Sequence, residues 1–143
     1  MHKDFSGHWK ADLAASALSG AAPMAIFASV DHQASLLRVE MTIVPTDGAP
    51  VVMTFAVRTD GETTINTVRG SEWASRSHWV DGELLIESEV KHAHGQMHFR
   101  DFWSLSADGR RLTMEHRDDD LAGQVTVLDR WTGGQVDRWT ATG

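Results

Sequence analysis

Residues 75–116 read SRSHWVDGELLIESEVKHAHGQMHFRDFWSLSADGRRLTMEH, and together with the chain up to Trp131 they organise the predicted fold. Asp81-Gly82, His94-Gly95 and Asp108-Gly109 separate runs in which polar and apolar residues alternate. Such dipeptides favour two-residue hairpin turns, and alternation with period two is typical of β-strands. We therefore predict three consecutive hairpins.

Hairpin turns of known length fix which residues face each other. The first turn predicts Ser75 opposite Ser88, the second predicts Ser88 opposite Asp101, and the third predicts Asp101 opposite His116. Cross-strand partners of this kind lie about 4.5 to 5.5 Å apart at Cβ. The sequence thus predicts one layer of polar side chains running across four strands.

The other face of the same strands gives a check on this register. It pairs Arg76 with Glu87 and Glu89 with Arg100, which are opposite charges in both cases, as expected of a solvated face. The predicted inner face is apolar with a polar seam. It comprises Trp73, Ser75, Ser77, Trp79, Leu84, Ile86, Ser88, Val90, Met97, Phe99, Asp101, Trp103, Leu105, Leu112, Met114 and His116.

The rest of the chain adds further strands to this core. A four-residue connection at 69–72 would place Asn66 opposite Ser75 and add it to the polar seam. On the last strand, Val125, Val127, Asp129 and Trp131 are predicted to point inward, with Asp129 near Met114. Residues 14–22 are rich in Ala, Ser and Gly and indicate either a short helix or a capping loop.

Length and composition limit the architecture. The chain has 143 residues, 41% of them hydrophobic, which suits a single domain spanning residues 1–143. About ten short strands separated by turn signals predict an all-β, antiparallel, up-and-down barrel. A barrel of eight to ten strands has room inside for one small ligand.

The chain start resembles the Gly-x-Trp opening of lipocalins and the wider calycin group, in the residues Phe5-Ser6-Gly7-His8-Trp9-Lys10. With its Asp-Gly turns and Asp101-Phe102-Trp103 strand, the sequence is similar to small lipocalin-like bacterial proteins. The resemblance implies a calycin-like barrel in which Trp9 closes the floor and packs against a basic residue near the last strand. Arg130 and Arg138 are the two candidates for that residue.

Asp101 facing His116 is the sharpest chemical feature. A carboxylate that accepts a hydrogen bond from an imidazole fixes the tautomer of the ring and raises its basicity, which suits general acid/base catalysis. A structural pair, in which the two side chains only satisfy each other's hydrogen-bonding groups, would show the same pattern. The proposed ligand-binding residues are the inward-facing groups around this pair, where Trp side chains give flat walls for an aromatic or polycyclic molecule. They are Asn66, Ser75, Trp79, Ser88, Phe99, Trp103, Met114 and Asp129.

Metal and cofactor sites are not predicted. His94 falls in a predicted turn, while His92 and His98 alternate onto opposite faces, so these three do not form a ligand set. His116 is a possible haem ligand, but its predicted Asp neighbour favours acid/base or structural use. The chain has no cysteine, which excludes disulfides and thiolate metal sites.

The charge pattern argues against macromolecular partners and leaves a small molecule as the expected binding partner. A net charge of −7 with no basic run argues against nucleic acid, and nothing favours a membrane partner. The first residues lead into a strand without a signal-peptide core, so a cytoplasmic protein is expected, the alternative being a mature form whose leader has been removed. Two functions remain open: binding of a small, largely apolar molecule in the lumen, and a cofactor-free isomerase, cyclase or lyase that uses His116 and Asp101.

Overall fold

The protein folds as one antiparallel sheet rolled into a barrel. The structure, a computed structural model, describes residues 4–18, 22–68, 70–92, 95–118 and 123–131. Within these residues the strands are β1 (Gly7–Ala11), β2 (Ala25–Gln33), β3 (Leu36–Val44), β4 (Val51–Arg58), β5 (Thr64–Val68), β6 (Ser71–Val80), β7 (Glu83–His92), β8 (Gly95–Leu105), β9 (Arg111–Asp118) and β10 (Gln124–Arg130).

Neighbouring strands are joined in chain order, and the first strand meets the last. The order across the sheet is β4-β3-β2-β1-β10-β9-β8-β7-β6-β5, with every pair antiparallel. This confirms the predicted all-β, ten-stranded, lipocalin-like barrel. The barrel is nearly closed, with β4 and β5 as the two strands at the remaining gap.

Side chains bridge the gap between β4 and β5. The Asn66 amide donates to the carbonyl of Ala56 at 2.7 Å and accepts from its N–H at 2.9 Å. The hydroxyl of Thr64 accepts from the N–H of Arg58 at 3.1 Å. Asn66 therefore takes the place of a backbone peptide, satisfying a donor and an acceptor that a free sheet edge would expose.

Two of the three predicted hairpins have the predicted register. Ser75 pairs with Ser88, and Asp101 pairs with His116. At the first turn Asp81 and Gly82 have φ values of +51° and +84°, the left-handed conformation that a two-residue turn of this kind requires at both positions. Loop length alone fixes the register here, which is why the sequence predicted it.

The hairpin between β7 and β8 differs from the prediction by two residues. Ser88 pairs with Phe99 and not with Asp101, which lies opposite Ile86. The pair His92 and Gly95 closes the hairpin, and the two residues that connect the strands, 93–94, both lie outside the described residues. Gly95 is the first residue of β8 and not the second turn residue. A two-residue shift keeps every side chain on its predicted face.

The outer-face pairs follow the same shift. Arg76 pairs with Glu87 as predicted, and Glu87 also pairs with Arg100 on its other side. The predicted pairing of Glu89 with Arg100 is wrong, since Glu89 pairs with His98. Charge complementarity is preserved because the shift moves Arg100 from one glutamate to the next on the same face.

Asn66 also differs from its predicted partner. Val68 pairs with Ser71, which leaves a two-residue connection in place of the predicted four. Asn66 consequently lies opposite Trp73, while Thr64 lies opposite Ser75. The even shift again preserves the inward face.

The last strand has the opposite face inward from that predicted. Thr126 pairs with Met114, and Asp129 pairs with Arg111. Leu128 is fully buried, whereas the Asp129 side chain is 48% exposed and accepts two hydrogen bonds from the Arg111 guanidinium. Burying an apolar side chain and leaving the carboxylate hydrated and paired is the lower-energy choice.

Trp131 shares this correction, because it stacks on Phe27 with ring centroids 4.6 Å apart. Phe27 lies between Ile26 and Ala28, two of the three buried residues of β2. The ammonium of Lys10 lies 5.4 Å from the Trp131 ring centroid. Trp131 therefore packs on the outer face of the barrel and not in the lumen.

The floor of the barrel is built around Trp9. Its ring is fully buried, and its indole N–H donates to the carbonyl of Phe5 at 3.0 Å. The guanidinium of Arg130 lies 4.3 Å from the Trp9 ring centroid and donates to the carbonyls of Ser6 and Gly109. The prediction that Arg130 packs against Trp9 is confirmed, while the other candidate, Arg138, lies outside the described residues.

The chain after β1 continues along the edge of β10. Leu13 to Ala15 form a turn, and Ala17 then pairs with Val125 in an isolated bridge. The Ser16 hydroxyl accepts from the N–H of Val127 at 2.9 Å. Over its described part, residues 14–18 and 22, the Ala-rich stretch is therefore a loop and not a helix.

Candidate functional site

A cavity of about 250 Å³ lies inside the barrel above the Trp9 floor. Its lining combines large apolar side chains with a smaller set of polar ones. The apolar members are Met41, Met53, Phe55, Val57, Val68, Trp73, Ile86, Trp103 and Met114, and the polar members are Asn66, Ser75, Ser88, Asp101, His116, Gln124 and Thr126.

Asp101 and His116 form the charged element of this lining. Neighbouring strands β8 and β9 hold them directly opposite each other, and the His116 Nδ1 lies 2.7 Å from the Asp101 Oδ1. The Asp101 side chain is 23% exposed and the His116 side chain is 35% exposed. The pair is therefore reachable from the lumen but shielded from bulk water on most sides.

The carboxylate raises the pKa of His116 above its usual value. The hydrogen bond that the ring donates to Asp101 is the main cause, and burial of the ring acts against it. The negative charges of Asp101 and Asp118 add to the rise. A carboxylate placed in this way favours the protonated form of the imidazole at the edge of the cavity.

Aromatic stacking fixes the plane of the imidazole. Phe99 stacks on His116 with ring centroids 5.0 Å apart, and Trp73 stacks on Phe99 at the same distance. Phe99 thus packs between two lining residues. Because the ring is held on one face by Phe99 and at one nitrogen by Asp101, the direction of the other nitrogen, Nε2, is set by the protein.

A pair of serine hydroxyls forms a second polar element. Ser75 and Ser88 lie on adjacent strands with their Oγ atoms 2.8 Å apart, and both residues are buried. Asn66 lines the cavity as well, but its carbonyl and amide each bind Ala56 across the barrel gap. The serine pair is uncharged and lies among apolar walls, which suits orientation of a ligand more than charge pairing.

The structure brings most of the predicted site residues to one cavity. Seven line it directly, and Phe99 packs against one of them, His116. The seven are Asn66, Ser75, Ser88, Asp101, Trp103, Met114 and His116.

Two predicted site residues lie elsewhere. Asp129 is on the outer face with Arg111, for the reason given above. Trp79 lines a separate cleft at the opposite end, next to Thr59. Fully buried Phe5 occupies the interior there, with its ring centroid 5.8 Å from that of Trp79, and so separates Trp79 from the cavity.

The sequence prediction missed the opposite wall of the cavity. Met41 on β3 and Met53, Phe55 and Val57 on β4 form it. The alternation in each strand marked candidate inward faces, but contact across a barrel is not encoded by any turn. Gln124 and Thr126 were missed because the last strand was assigned the wrong face.

The described residues contain no group of three His, Cys, Asp or Glu side chains placed to hold a metal ion. His98 is exposed on β8, and the side chains of His92 and His94 lie outside the described part of the chain. No helix in the described part is long and apolar enough to cross a membrane.

These features define the class as a lipocalin-like β-barrel with an internal cavity, and the solved structures agree at the level of the fold. An SAHS protein from Ramazzottius varieornatus superposes with a TM-score of 0.64 at 12% identity, covering 92% of this chain and 98% of that one. Secretory abundant heat soluble protein 4 from the same organism superposes with a TM-score of 0.60 at 9% identity, with the same coverage of both chains. The sequence matches no protein-family model and no curated protein.

Proposed function

We propose that this protein binds one small, largely apolar molecule inside its barrel, as a lipocalin-like binding protein. The observation that supports this is the cavity of about 250 Å³, enclosed by apolar and aromatic side chains and crossed by a few polar groups. Ligand pockets in proteins have this composition: an apolar wall provides affinity, and sparse polar groups set orientation. Trp73, Trp103 and Phe55 favour an aromatic or polycyclic ligand.

The cavity is the reason for preferring binding over a purely structural barrel. Protein interiors are normally packed without voids of this size. In a barrel that served only as a scaffold, larger side chains at Ser75 and Ser88 would fill the space. The small polar residues at these positions keep it open.

The test is a cavity-filling variant with a matched control on the same strand. Met53 lines the cavity, and Val52, its neighbour, is 56% exposed on the outer face. Met53→Trp should lower the affinity for a bound small molecule at least tenfold, whereas Val52→Trp should leave it unchanged. Ligands are found by native mass spectrometry of the protein from its own source, and affinities are then measured by calorimetry.

Thermal unfolding of both variants checks that they remain folded. If Met53→Trp is folded and binds the co-purifying molecule as tightly as the parent, the molecule does not occupy the cavity and the proposal is wrong. Absence of any co-purifying molecule, together with no binding from a library of apolar aromatic compounds, would also contradict it.

A second candidate is a cofactor-free acid/base enzyme, an isomerase, cyclase or lyase. The observation that favours it is the 2.7 Å contact between Asp101 and His116 at the cavity edge, a geometry suited to proton transfer. The similar solved structures give this candidate no support. His116→Gln separates the two: it should abolish conversion of a bound molecule in an enzyme, and only change affinity in a binding protein.

A further inference from the structure

We propose that the ligand is an uncharged molecule that carries a hydroxyl group on an apolar, aromatic body, in other words a phenol or an alcohol, and that the cavity rejects carboxylates. This inference rests on the proposed binding function and names the chemistry of its ligand. Three features of the lining lead to it: its charge, the nitrogen that His116 leaves for a ligand, and the neutral serine pair.

The charge of the lining disfavours an anionic ligand. Among the lining residues that the structure describes, Asp101 and His116 are the only ionisable ones, and none is Lys or Arg. The positive charge of an imidazolium at 116 is already paired with Asp101 at 2.7 Å. A ligand carboxylate would therefore lie close to Asp101 with no cation of its own, and an unpaired charge in an apolar cavity is strongly unfavourable.

The His116 ring is suited to a hydroxyl. Nδ1 faces the carboxylate of Asp101, which only accepts hydrogen bonds, so Nδ1 carries a proton whether or not the ring is charged. Nε2 is then the nitrogen that meets a ligand. It donates when the ring is protonated and accepts when the ring is neutral. A hydroxyl both donates and accepts, so it satisfies Nε2 in either state, whereas a carbonyl or an ether satisfies only the protonated one.

The remaining polar groups fit the same ligand class. The Ser75 and Ser88 hydroxyls bond each other at 2.8 Å within the buried wall. One hydroxyl of such a pair donates to the other, so the pair offers a ligand neutral hydrogen-bonding capacity only. Beyond the Asp101 and His116 pair, the cavity thus provides apolar contact and uncharged hydrogen bonds.

Three compounds with one ring system test the proposal: 2-naphthol, 2-methoxynaphthalene and 2-naphthoate. Affinities are measured by calorimetry at pH 7 on the full chain. We expect 2-naphthol to bind most tightly, 2-methoxynaphthalene about 10-fold more weakly because its oxygen cannot donate, and 2-naphthoate about 100-fold more weakly, in line with hydrogen bonds to charged groups and the cost of an unpaired charge.

Variants assign these preferences to the pair. Asp101→Asn removes the opposing charge and should raise 2-naphthoate affinity about 10-fold relative to 2-naphthol. His116→Phe should bring 2-naphthol and 2-methoxynaphthalene to equal affinity. Asp60→Asn is the matched control, because Asp60 pairs with Arg58 outside the cavity, and it should leave all three ratios unchanged.

The outcomes separate this inference from the proposed function. If 2-naphthoate binds as tightly as 2-naphthol, or if 2-methoxynaphthalene equals 2-naphthol in the parent protein, the hydroxyl assignment is wrong while cavity binding stands. If none of the three compounds binds, both are wrong for aromatic ligands. Binding that Met53→Trp leaves intact would place the compounds outside the cavity and overturn both as well.

Discussion

Replacing Gly7 by alanine should destabilise the barrel through its floor. Gly7 has a φ of +138°, a conformation that side chains disfavour. A Cβ at this position would lie 2.5 Å from the Nη1 of Arg130, closer than two such atoms can approach. The substitution therefore strains the backbone and moves the guanidinium that covers Trp9.

The magnitude follows from what the guanidinium contacts. Moving Nη1 breaks its 2.8 Å hydrogen bond to the carbonyl of Ser6, a loss of about 1 kcal/mol. The cation–π contact with Trp9, at 4.3 Å, is worth about 0.5 to 1 kcal/mol for an exposed arginine. An alanine held at positive φ adds about 1 to 2 kcal/mol. The sum predicts a loss of about 2.5 to 4 kcal/mol in the free energy of unfolding.

Urea unfolding followed by tryptophan fluorescence measures this loss, and a double-mutant cycle assigns it. In an Arg130→Ala background only the backbone strain remains, so Gly7→Ala should cost about 1.5 to 2 kcal/mol less there than in the parent. Gly48→Ala is the control for strain alone, because Gly48 has a φ of +99° and an added Cβ there would have no atom within 4 Å.

Two results would refute this reasoning. One is additivity of Gly7→Ala and Arg130→Ala to within about 0.5 kcal/mol, which would mean that the two sites do not interact. The other is an equal cost for Gly7→Ala and Gly48→Ala, which would leave backbone strain as the whole effect.

Two further predictions concern the barrel gap and the ionisable pair. Asn66→Ala should lower the free energy of unfolding by about 1 to 3 kcal/mol, because it leaves the N–H and carbonyl of Ala56 without their partner. It should also speed hydrogen exchange of the Ala56 N–H. Unchanged exchange would show that the Asn66 side chain does not close the gap. Because the pKa of His116 is raised in the folded state, its contribution to stability is complete below about pH 6.5 and is lost as the pH rises through the raised value. Asp101→Asn should lower that pKa in an NMR titration and flatten the pH dependence of the free energy of unfolding, by less than about 1 kcal/mol for a pair this exposed. An unshifted titration would contradict the assignment.

Much of the site could be predicted from local sequence. Asp81-Gly82 and Asp108-Gly109 correctly placed Ser75 beside Ser88 and Asp101 beside His116. Where a hairpin was miscounted, as before Gly95, the error was two residues and the inward face survived. A strand has period two, so only an odd error moves a side chain out of the lumen.

The last strand shows where local inference fails. The sequence between β9 and β10 contains no Asp-Gly dipeptide of the kind that fixed the other registers, and the prediction was off by three residues, which reversed the faces of Thr126 and Asp129. In the register that the structure shows, Leu128 is fully buried in the same core cluster as Trp9. No pattern within the strand itself carries this information.

The sequence by itself determined the number and kind of strands and the meeting of Asp101 with His116, because each depends on neighbours that short turns fix, whereas its resemblance to lipocalins implied a Trp9 floor and left Arg130 and Arg138 both open as its partner. Only the tertiary structure decided that Met53 and Phe55 face this pair across a cavity, that Asn66 closes the barrel gap, and that Phe5 separates Trp79 from the ligand space. These contacts join strands far apart in the chain, and they are set by the curvature of the whole sheet and the volumes of the side chains that fill it.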